Sequence, residues 1–397
     1  MDGNLVKKKV LLVGFGNSIH VARWVKQIAS QDDWELHLFP VNFDAQIHEE
    51  LKRLPIRVHA LWPGRVMLGF LRHWPFQRGG KWAKRVSSTD SPRFLGWMLA
   101  RLIRRLRPDL LHTLEFQHSA YLALTAREYL RGRWPPWAVS NWGSDIYLYG
   151  RLPDHQPRIR QILERCNFYL CECHRDLGLA RQMGLRGEPM EVLPVGGGFD
   201  LERASELQEP GRTSQRRRVL VKGYQSWAGR SLVALRALAL CADQLQGYQV
   251  GVYLASPEVE LAVQVLAQSS GIAIATLPYV SYEETLRRFG SARLYLGLSI
   301  SDAISQSLLE AMVMGAFPIQ SNTSCAEEWV QDGSTALLVP PEDPEVVAES
   351  VRNALKDDRL VDQGAQANFA VAKERLEQAR IRSGVVAMYR HMLGEQE

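Results

Sequence analysis

The sequence predicts an α/β protein of two doubly wound domains. Strand-length apolar runs alternate with helical patterns along most of the chain, and 397 residues exceed one ordinary core. A glycine-rich stretch, Val195-Gly196-Gly197-Gly198, also interrupts the pattern near its middle. Apolar content is that of a globular protein, and no apolar run approaches the length of a membrane span. The chain opens from a basic tail straight into a strand, so no leader is expected. Five cysteines at irregular spacing fit a reducing compartment better than a disulfide framework. The expected location is cytoplasmic, with peripheral contact at the inner face of the cytoplasmic membrane.

The predicted first domain spans residues 1–195. Lys8 to Gly14 is a buried parallel-type strand, and Gly14-Phe15-Gly16-Asn17-Ser18 turns into a helix from Ile19 to Ala29. The Gly-x-Gly hints at a phosphate loop, but Ile19 stands where a dinucleotide fingerprint has its third glycine. Trp34–Val41 and Ile56–Ala60 are the next strands. A basic, aromatic insert then covers residues 62–107. Its residues 65–107 hold eleven Lys/Arg against a single acid, Asp90, interleaved with Phe70, Trp74, Phe76, Trp82, Phe94 and Trp97. This composition suits an anionic membrane interface, and the absence of any RNA- or DNA-binding motif argues against nucleic acid. From Phe94 to Leu106 the pattern is that of an amphipathic helix with a solvated basic face.

Asp109 to His112 ends a strand, with Thr113 to Ser119 as its exit loop. His112, Glu115 and His118 are polar candidates there, Glu115 first, since a strand-end carboxylate can bind or deprotonate a hydroxyl. Trp137–Asn141 is the next strand, followed by Trp142-Gly143-Ser144-Asp145, where Asp145 either caps a turn or accepts from a hydroxyl. Phe168–Cys173 reads as a strand with Cys171 and Cys173 on one face. Cys166, Cys171, Cys173 and His174 lack a second ligand pair at zinc spacing, so no metal site is expected.

Residues 196–218 read as hinge and linker, and 219–375 as the second domain. Val219–Gly223 opens its sheet, and Gly229-Arg230-Ser231 begins the following helix. Strands at Val250–Leu254, Ile272–Thr276 and Arg293–Leu298 alternate with helices near 257–269 and 281–289. Pro278-Tyr279-Val280 lies at a strand's carboxyl end, where such folds bind ligands. Residues 376–397 hold a final helix.

Ser299 to Pro341 carries the most chemistry. A small polar loop, Ile304-Ser305-Gln306-Ser307, precedes the strong helix former Leu308-Leu309-Glu310-Ala311-Met312. Gly315 stops that helix, and Ala316 to Ile319 restarts a strand. A helix amino terminus after a strand favours an anion, and the carboxylates of Asp302 and Glu310 suit hydroxyls. That combination describes a sugar nucleotide. Spacing alone leaves a second reading open, in which Ser307 and Glu310 form a capping box and Asp302 is a solvated loop acid.

The same stretch resembles the carboxy-terminal signature of glycosyltransferase family 4, whose members have the GT-B fold. Leu308-Leu309-Glu310-Ala311-Met312, Gly315, Pro318 and Ile319 match in order, as do Asp332-Gly333 and Leu337-Leu338-Val339-Pro340. Asp302 replaces the family's first Glu, Ile304-Ser305 its Phe-Gly turn, Trp142 the His of His-Gly-Ser-Asp, and Leu114 a donor-facing His. The resemblance implies two Rossmann-like domains facing across a cleft, with the final helix crossing back to the first.

It further implies a retaining transferase that moves a sugar from a nucleoside diphosphate sugar to a hydroxyl of a glycan or lipid-linked acceptor. Bacterial cell-surface polysaccharide or lipopolysaccharide synthesis is the expected setting. Glu310 would hold the ribose hydroxyls and Asp302 those of the donor sugar. Lys222 and Arg230, with the amides of Ile304, Ser305, Ser307 and Leu308, would hold the diphosphate, so no cofactor or metal is expected. Tyr279 and Val280 would border the base. Gly16 would lie towards the donor; Asn17, Ser18, His20 and His118 towards the acceptor; Glu115 and Asp145 among the catalytic groups. An epimerase or hydrolase on the same fold, or a non-catalytic glycan-binding protein, are the alternative readings.

Overall fold

The structure, a computed structural model, describes residues 7–42, 46–59 and 92–395. The chain divides into two compact units, residues 1–197 with 382–397, and residues 198–381.

Among the described residues of unit 1, seven parallel strands run β1 (Lys8–Gly14), β2 (Trp34–Pro40), β3 (Ile56–Val58), β4 (Leu110–Leu114), β5 (Trp137–Asn141), β6 (Phe168–Cys171) and β7 (Glu188–Pro189). Their order is β3-β2-β1-β4-β5-β6-β7, so the chain reverses its direction of growth between β1 and β4. The helices are α1 (Ile19–Ile28), α2 (Glu49–Lys52), α3 (Pro92–Leu106), α4 (Tyr121–Tyr129), α5 (Gln156–Arg165) and α6 (His174–Gln182). β1 and β5 are apolar on both faces, as parallel strands covered by helices must be; Val10 to Val13 and Trp137 to Val139 are buried. Gly96 lets α3 approach α4, because a Cβ there would press to 2.6 Å from Thr125 Cγ2.

Two details depart from the sequence reading. The strand predicted to end at His112 continues through Leu114, so Thr113 and Leu114 lie in the sheet. β6 ends at Cys171, and Cys173 stands beyond it before α6, so the two thiols do not share a strand face. All five cysteines are free and buried. Residues 62–91 of the basic insert lie outside the described residues. The remainder of it forms α3, which buries Leu95, Leu99 and Ile103 and exposes its arginines.

In unit 2 the stretch following the glycines carries α7 (Leu201–Glu206), capped by Asp200, and the buried Arg216. Then come β8 (Arg218–Lys222), α8 (Ser231–Leu240), β9 (Gln249–Tyr253), α9 (Pro257–Ser270), β10 (Ala273–Thr276), α10 (Tyr282–Gly290), β11 (Leu294–Gly297), α11 (Gln306–Met314), β12 (Phe317–Ser321), β13 (Leu337–Val339), α12 (Pro344–Lys356) and α13 (Asp358–Arg375). The parallel order β10-β9-β8-β11-β12-β13 places the reversal between β8 and β11. A last helix, α14 (Gln378–Met392), contributes its residues from Arg382 onward to unit 1.

Candidate active site

In open α/β sheets, ligands bind beyond the carboxyl ends of the strands where the order reverses. In unit 2 that point lies between the loops leaving β8 and β11, and the two loops are joined. Gly229 bridges to Ser299, Arg230 N donates to Leu298 O at 3.0 Å, and Ile300 N donates to Ala228 O at 2.9 Å. Only glycine fits at 229, since a Cβ would overlap the Tyr224 carbonyl. Lys222 and Arg230 stand at the two ends of the loop after β8, and Asp302 and the start of α11 follow β11. Lys222 ends β8, and its ammonium has no side-chain partner among the described residues. Arg230 Nε donates to Glu342 Oε1 at 2.9 Å, a contact at the rim.

The N-cap of α11 is Ser305, whose side chain makes no capping bond; Ser307 sits one turn position inside the helix. The Ser307–Glu310 capping box open in the sequence therefore does not form. Ser307 Oγ instead accepts from the Tyr253 hydroxyl at 2.8 Å. The first-turn amides thus lack a side-chain cap, which is the arrangement that favours an anion. Glu310 lies in the next turn, buried, and its charge raises the acidity threshold of the buried Tyr253 and Tyr295 phenols already displaced upward by burial. Asp302 accepts from its neighbour Ala303 N at 2.9 Å. Ile304 and Leu308 are buried, and the Leu308 amide, expected to face the diphosphate, donates to Ser305 O at 2.9 Å. Tyr279 and Val280 follow β10 at the sheet edge, two strands from β8 and so about 10 Å from the reversal. Tyr279 is 90% exposed.

Unit 1 has its own reversal point, flanked by the exits of β1 and β4. The Phe15 ring meets the His118 ring edge-on at 4.8 Å, bringing the two loops together. Gly16 N donates to Asn42 Oδ1 at 2.6 Å, and a Cβ on Gly16 would press into Ile47. Ser18 caps α1, accepting from His20 N and Val21 N, while Asn17 and His20 are exposed. Glu115 holds φ 89°, a costly value for a residue with a Cβ, and its carboxylate accepts from His118 N and Ser119 N. That carboxylate also lies 3.3 Å from His118 Nδ1 and raises the His118 pKa.

Asp145, read as either a cap or a hydroxyl acceptor, uses its Oδ2 as a brace between two loops. Its buried carboxylate accepts from Phe116 N at 3.0 Å and Trp142 N at 2.9 Å, tying the exits of β4 and β5 together. Burial, then the nearby Glu115 charge, pushes its pKa up. His112, another candidate, is wholly buried and bonds Tyr389 and Ser140. Three residues escaped the sequence reading: Tyr147, Arg151 and Arg175, which stack on one another past β5 and β6. The four-residue spacing of Tyr147 and Arg151 was a readable signal; Arg175 had none.

Residues 9–171 match the family described as glycosyl transferase 4-like, and residues 234–370 match glycosyl transferases group 1. No curated protein sequence matches the chain. Among solved structures, sucrose-phosphate synthase from Thermosynechococcus elongatus superposes with a TM-score of 0.72 at 15% identity, covering 98% of this chain and 100% of that one. HepE from Anabaena in complex with UDP-glucose gives 0.66 at 14%, covering 96% and 99%. A glycosyltransferase from Rickettsia africae gives 0.64 at 14%, covering 98% and 100%. The two Rossmann-like units have the GT-B architecture, and the chain is a GT-B-fold glycosyltransferase related to both families.

Proposed function

We propose that the protein is a retaining glycosyltransferase that moves a sugar from a nucleoside diphosphate sugar to a hydroxyl of a glycan or lipid-linked acceptor. One observation supports the reading: in unit 2 the loops leaving β8 and β11 pair through Gly229 and Ser299 at the sheet's reversal point, and the side-chain-uncapped helix α11 that follows carries the buried Glu310. Lys222, Arg230 and the amides would take the diphosphate and offset the charge that grows on it as the glycosidic bond breaks. Glu310 would accept from the ribose hydroxyls and Asp302 from the sugar. The departing phosphate would take the acceptor's proton. The HepE structure with UDP-glucose, on the same fold, supports this donor class.

On the acceptor side, Asn17, Ser18, His20, Glu115 and His118 flank the reversal point of unit 1. α3 supports a peripheral membrane role: Phe94 and Trp97 are 45% and 44% exposed and stack at 6.0 Å, with Arg101 over Trp97 and Arg93, Arg104 and Arg105 exposed on the same helix. Such a surface fits the inner face of a cytoplasmic membrane and a lipid-linked or lipopolysaccharide glycan. Among the described residues no helix is long and apolar enough to cross a membrane.

The test is ligand-observed NMR with UDP-glucose and its relatives carrying other bases and sugars. Binding of one donor by the wild type and its loss in Glu310→Ala is the expected result. Equal binding by both proteins would remove Glu310 and the start of α11 from the donor site.

A further inference from the structure

We infer that unit 1 carries an anion clamp, Arg151–Tyr147–Arg175, that receives a phosphate or carboxylate group of the acceptor sugar. The inference rests on the reading of unit 1 as the acceptor side. Tyr147 and Arg151 follow β5, and Arg175 lies in the first turn of α6 after β6; β5 and β6 are paired neighbours. All three residues therefore stand at the carboxyl end of the sheet, where ligands bind.

The guanidinium carbons of Arg175 and Arg151 lie 3.7 and 4.0 Å from the centre of the Tyr147 ring. Two planar groups that close to one centre cannot share a face, so the ring is held between two cations. The two differ in how their charge is answered. Arg175 Nε donates to Asp176 Oδ1 at 2.9 Å, and the buried Asp176 is fixed in turn by Asn141 Nδ2 at 2.8 Å. Arg151 is exposed and forms no ion pair with any carboxylate of the described residues. Arg151 therefore holds its positive charge on a pre-oriented, exposed fork.

Stacking on a ring fixes the plane of a guanidinium while leaving its N–H edge outward, and that edge matches the two oxygens of a carboxylate or phosphate. Side-chain entropy lost on binding is reduced because the ring already holds the fork. β5 and β6 lie one and two strands from β4, or about 5 and 10 Å. An acceptor whose hydroxyl sits beside Glu115 and His118 would therefore carry its anionic group on the same or the adjoining sugar. Arg158, stacked over the Tyr121 ring at 5.3 Å, adds a further cation to this rim.

The test is saturation-transfer NMR on the full chain, with excess UDP present to occupy the donor side. Glucuronic acid, glucose 6-phosphate and glucose are the probes. We expect both anionic sugars to bind about tenfold more tightly than glucose, and Arg151→Gln to remove about that factor. Tyr147→Phe keeps the ring and should retain binding; Tyr147→Ala should lose it. Equal binding of glucose and the anionic sugars, or anionic binding undiminished in Arg151→Gln, would overturn the clamp. A parallel arm uses phosphatidylglycerol vesicles: loss of vesicle retention in Arg151→Gln with sugar binding intact would assign the anion to a lipid headgroup and overturn the acceptor assignment. UDP-glucose binding measured on the same samples reports separately on the donor reading, since Arg151 belongs to unit 1.

Discussion

His112 and Tyr389, 277 positions apart in sequence, share a 2.7 Å hydrogen bond in the buried heart of unit 1. Trp24 Nε1 donates to the same Tyr389 hydroxyl at 2.9 Å. His112 Nε2 shares a further hydrogen bond with Ser140 Oγ at 2.8 Å. The chain α14–α1–β4–β5 is thereby closed by one polar string inside an apolar core. Tyr389→Phe removes the hydroxyl and leaves Trp24 Nε1 and His112 Nδ1 buried without partners. The expected cost is about 1–3 kcal/mol, read as a lower unfolding midpoint of unit 1 by tryptophan fluorescence.

The same burial pushes the His112 pKa down to about 3, so the folded protein keeps this ring neutral. Below about pH 6.5 the unfolded chain takes up a proton that the folded chain refuses. The contribution of His112 is therefore full above that pH and falls as pH drops towards 3, by at most about 1.4 kcal/mol per unit. Thermal unfolding of wild type and His112→Gln between pH 7.5 and 5 should show their difference shrinking with acidity. A constant difference would mean that His112 is charged in the fold.

This string also marks what the sequence could and could not tell. The edges of β1 and β5 were legible because continuous apolar runs meet glycine, asparagine or charge at their ends. Alternation of strands and helices was enough for two doubly wound sheets, and Gly229-Arg230-Ser231 announced a helix start. The pairing of His112 with Tyr389 depends on where α14 packs, which no local pattern encodes. Capping failed for a related reason. Ser305 and Ser307 are chemically equal candidates, and only the path of the chain leaving β11 decides that Ser305 takes the cap position while Ser307 meets Tyr253. Asp145 looked available because its role as a brace needs Phe116, which lies 29 positions away.

On the proposed donor site, Lys222→Ala and Arg230→Ala should lower turnover more than donor affinity, because the charge they would offset grows only as the bond to the leaving diphosphate breaks. The expected loss is about 100-fold in kcat with less than about tenfold change in the Kd for the nucleotide sugar. Hydrolysis of the nucleotide sugar that the binding screen identifies, with water as acceptor, gives the rate without knowledge of the natural acceptor. Glu342→Gln frees the Arg230 guanidinium from its 2.9 Å contact at the rim and should leave the rate undiminished. Unchanged turnover in both alanine variants would remove the pair from the chemistry.

His118 should titrate above the ordinary histidine range in the folded protein, held there first by its hydrogen bond to Glu115 and opposed by partial burial. Its protonated form therefore stabilises the β4 exit below about pH 6.5, and that contribution is lost as pH rises through the raised midpoint. Glu115→Gln keeps an oxygen for the backbone amides but removes the charge. An NMR titration of the His118 ring should show its midpoint fall in that variant; an unmoved midpoint would assign the shift to another group.

Among the described residues, Phe94 and Trp97 are exposed on α3, which buries Leu95, Gly96, Leu99 and Ile103. Their stacked rings present apolar area, and Arg93, Arg101, Arg104 and Arg105 surround it with positive charge. Both features favour an anionic bilayer surface, the first by burial among acyl chains and the second by attraction screened with salt. The full-length protein should be retained by phosphatidylglycerol vesicles at low salt and released as ionic strength rises. The double variant Phe94→Ser with Trp97→Ser should weaken retention about tenfold or more through lost apolar contact, without lowering thermal stability. Equal retention by phosphatidylcholine vesicles would deny the electrostatic part. Unaltered retention of the double variant would place the membrane contact elsewhere on the chain.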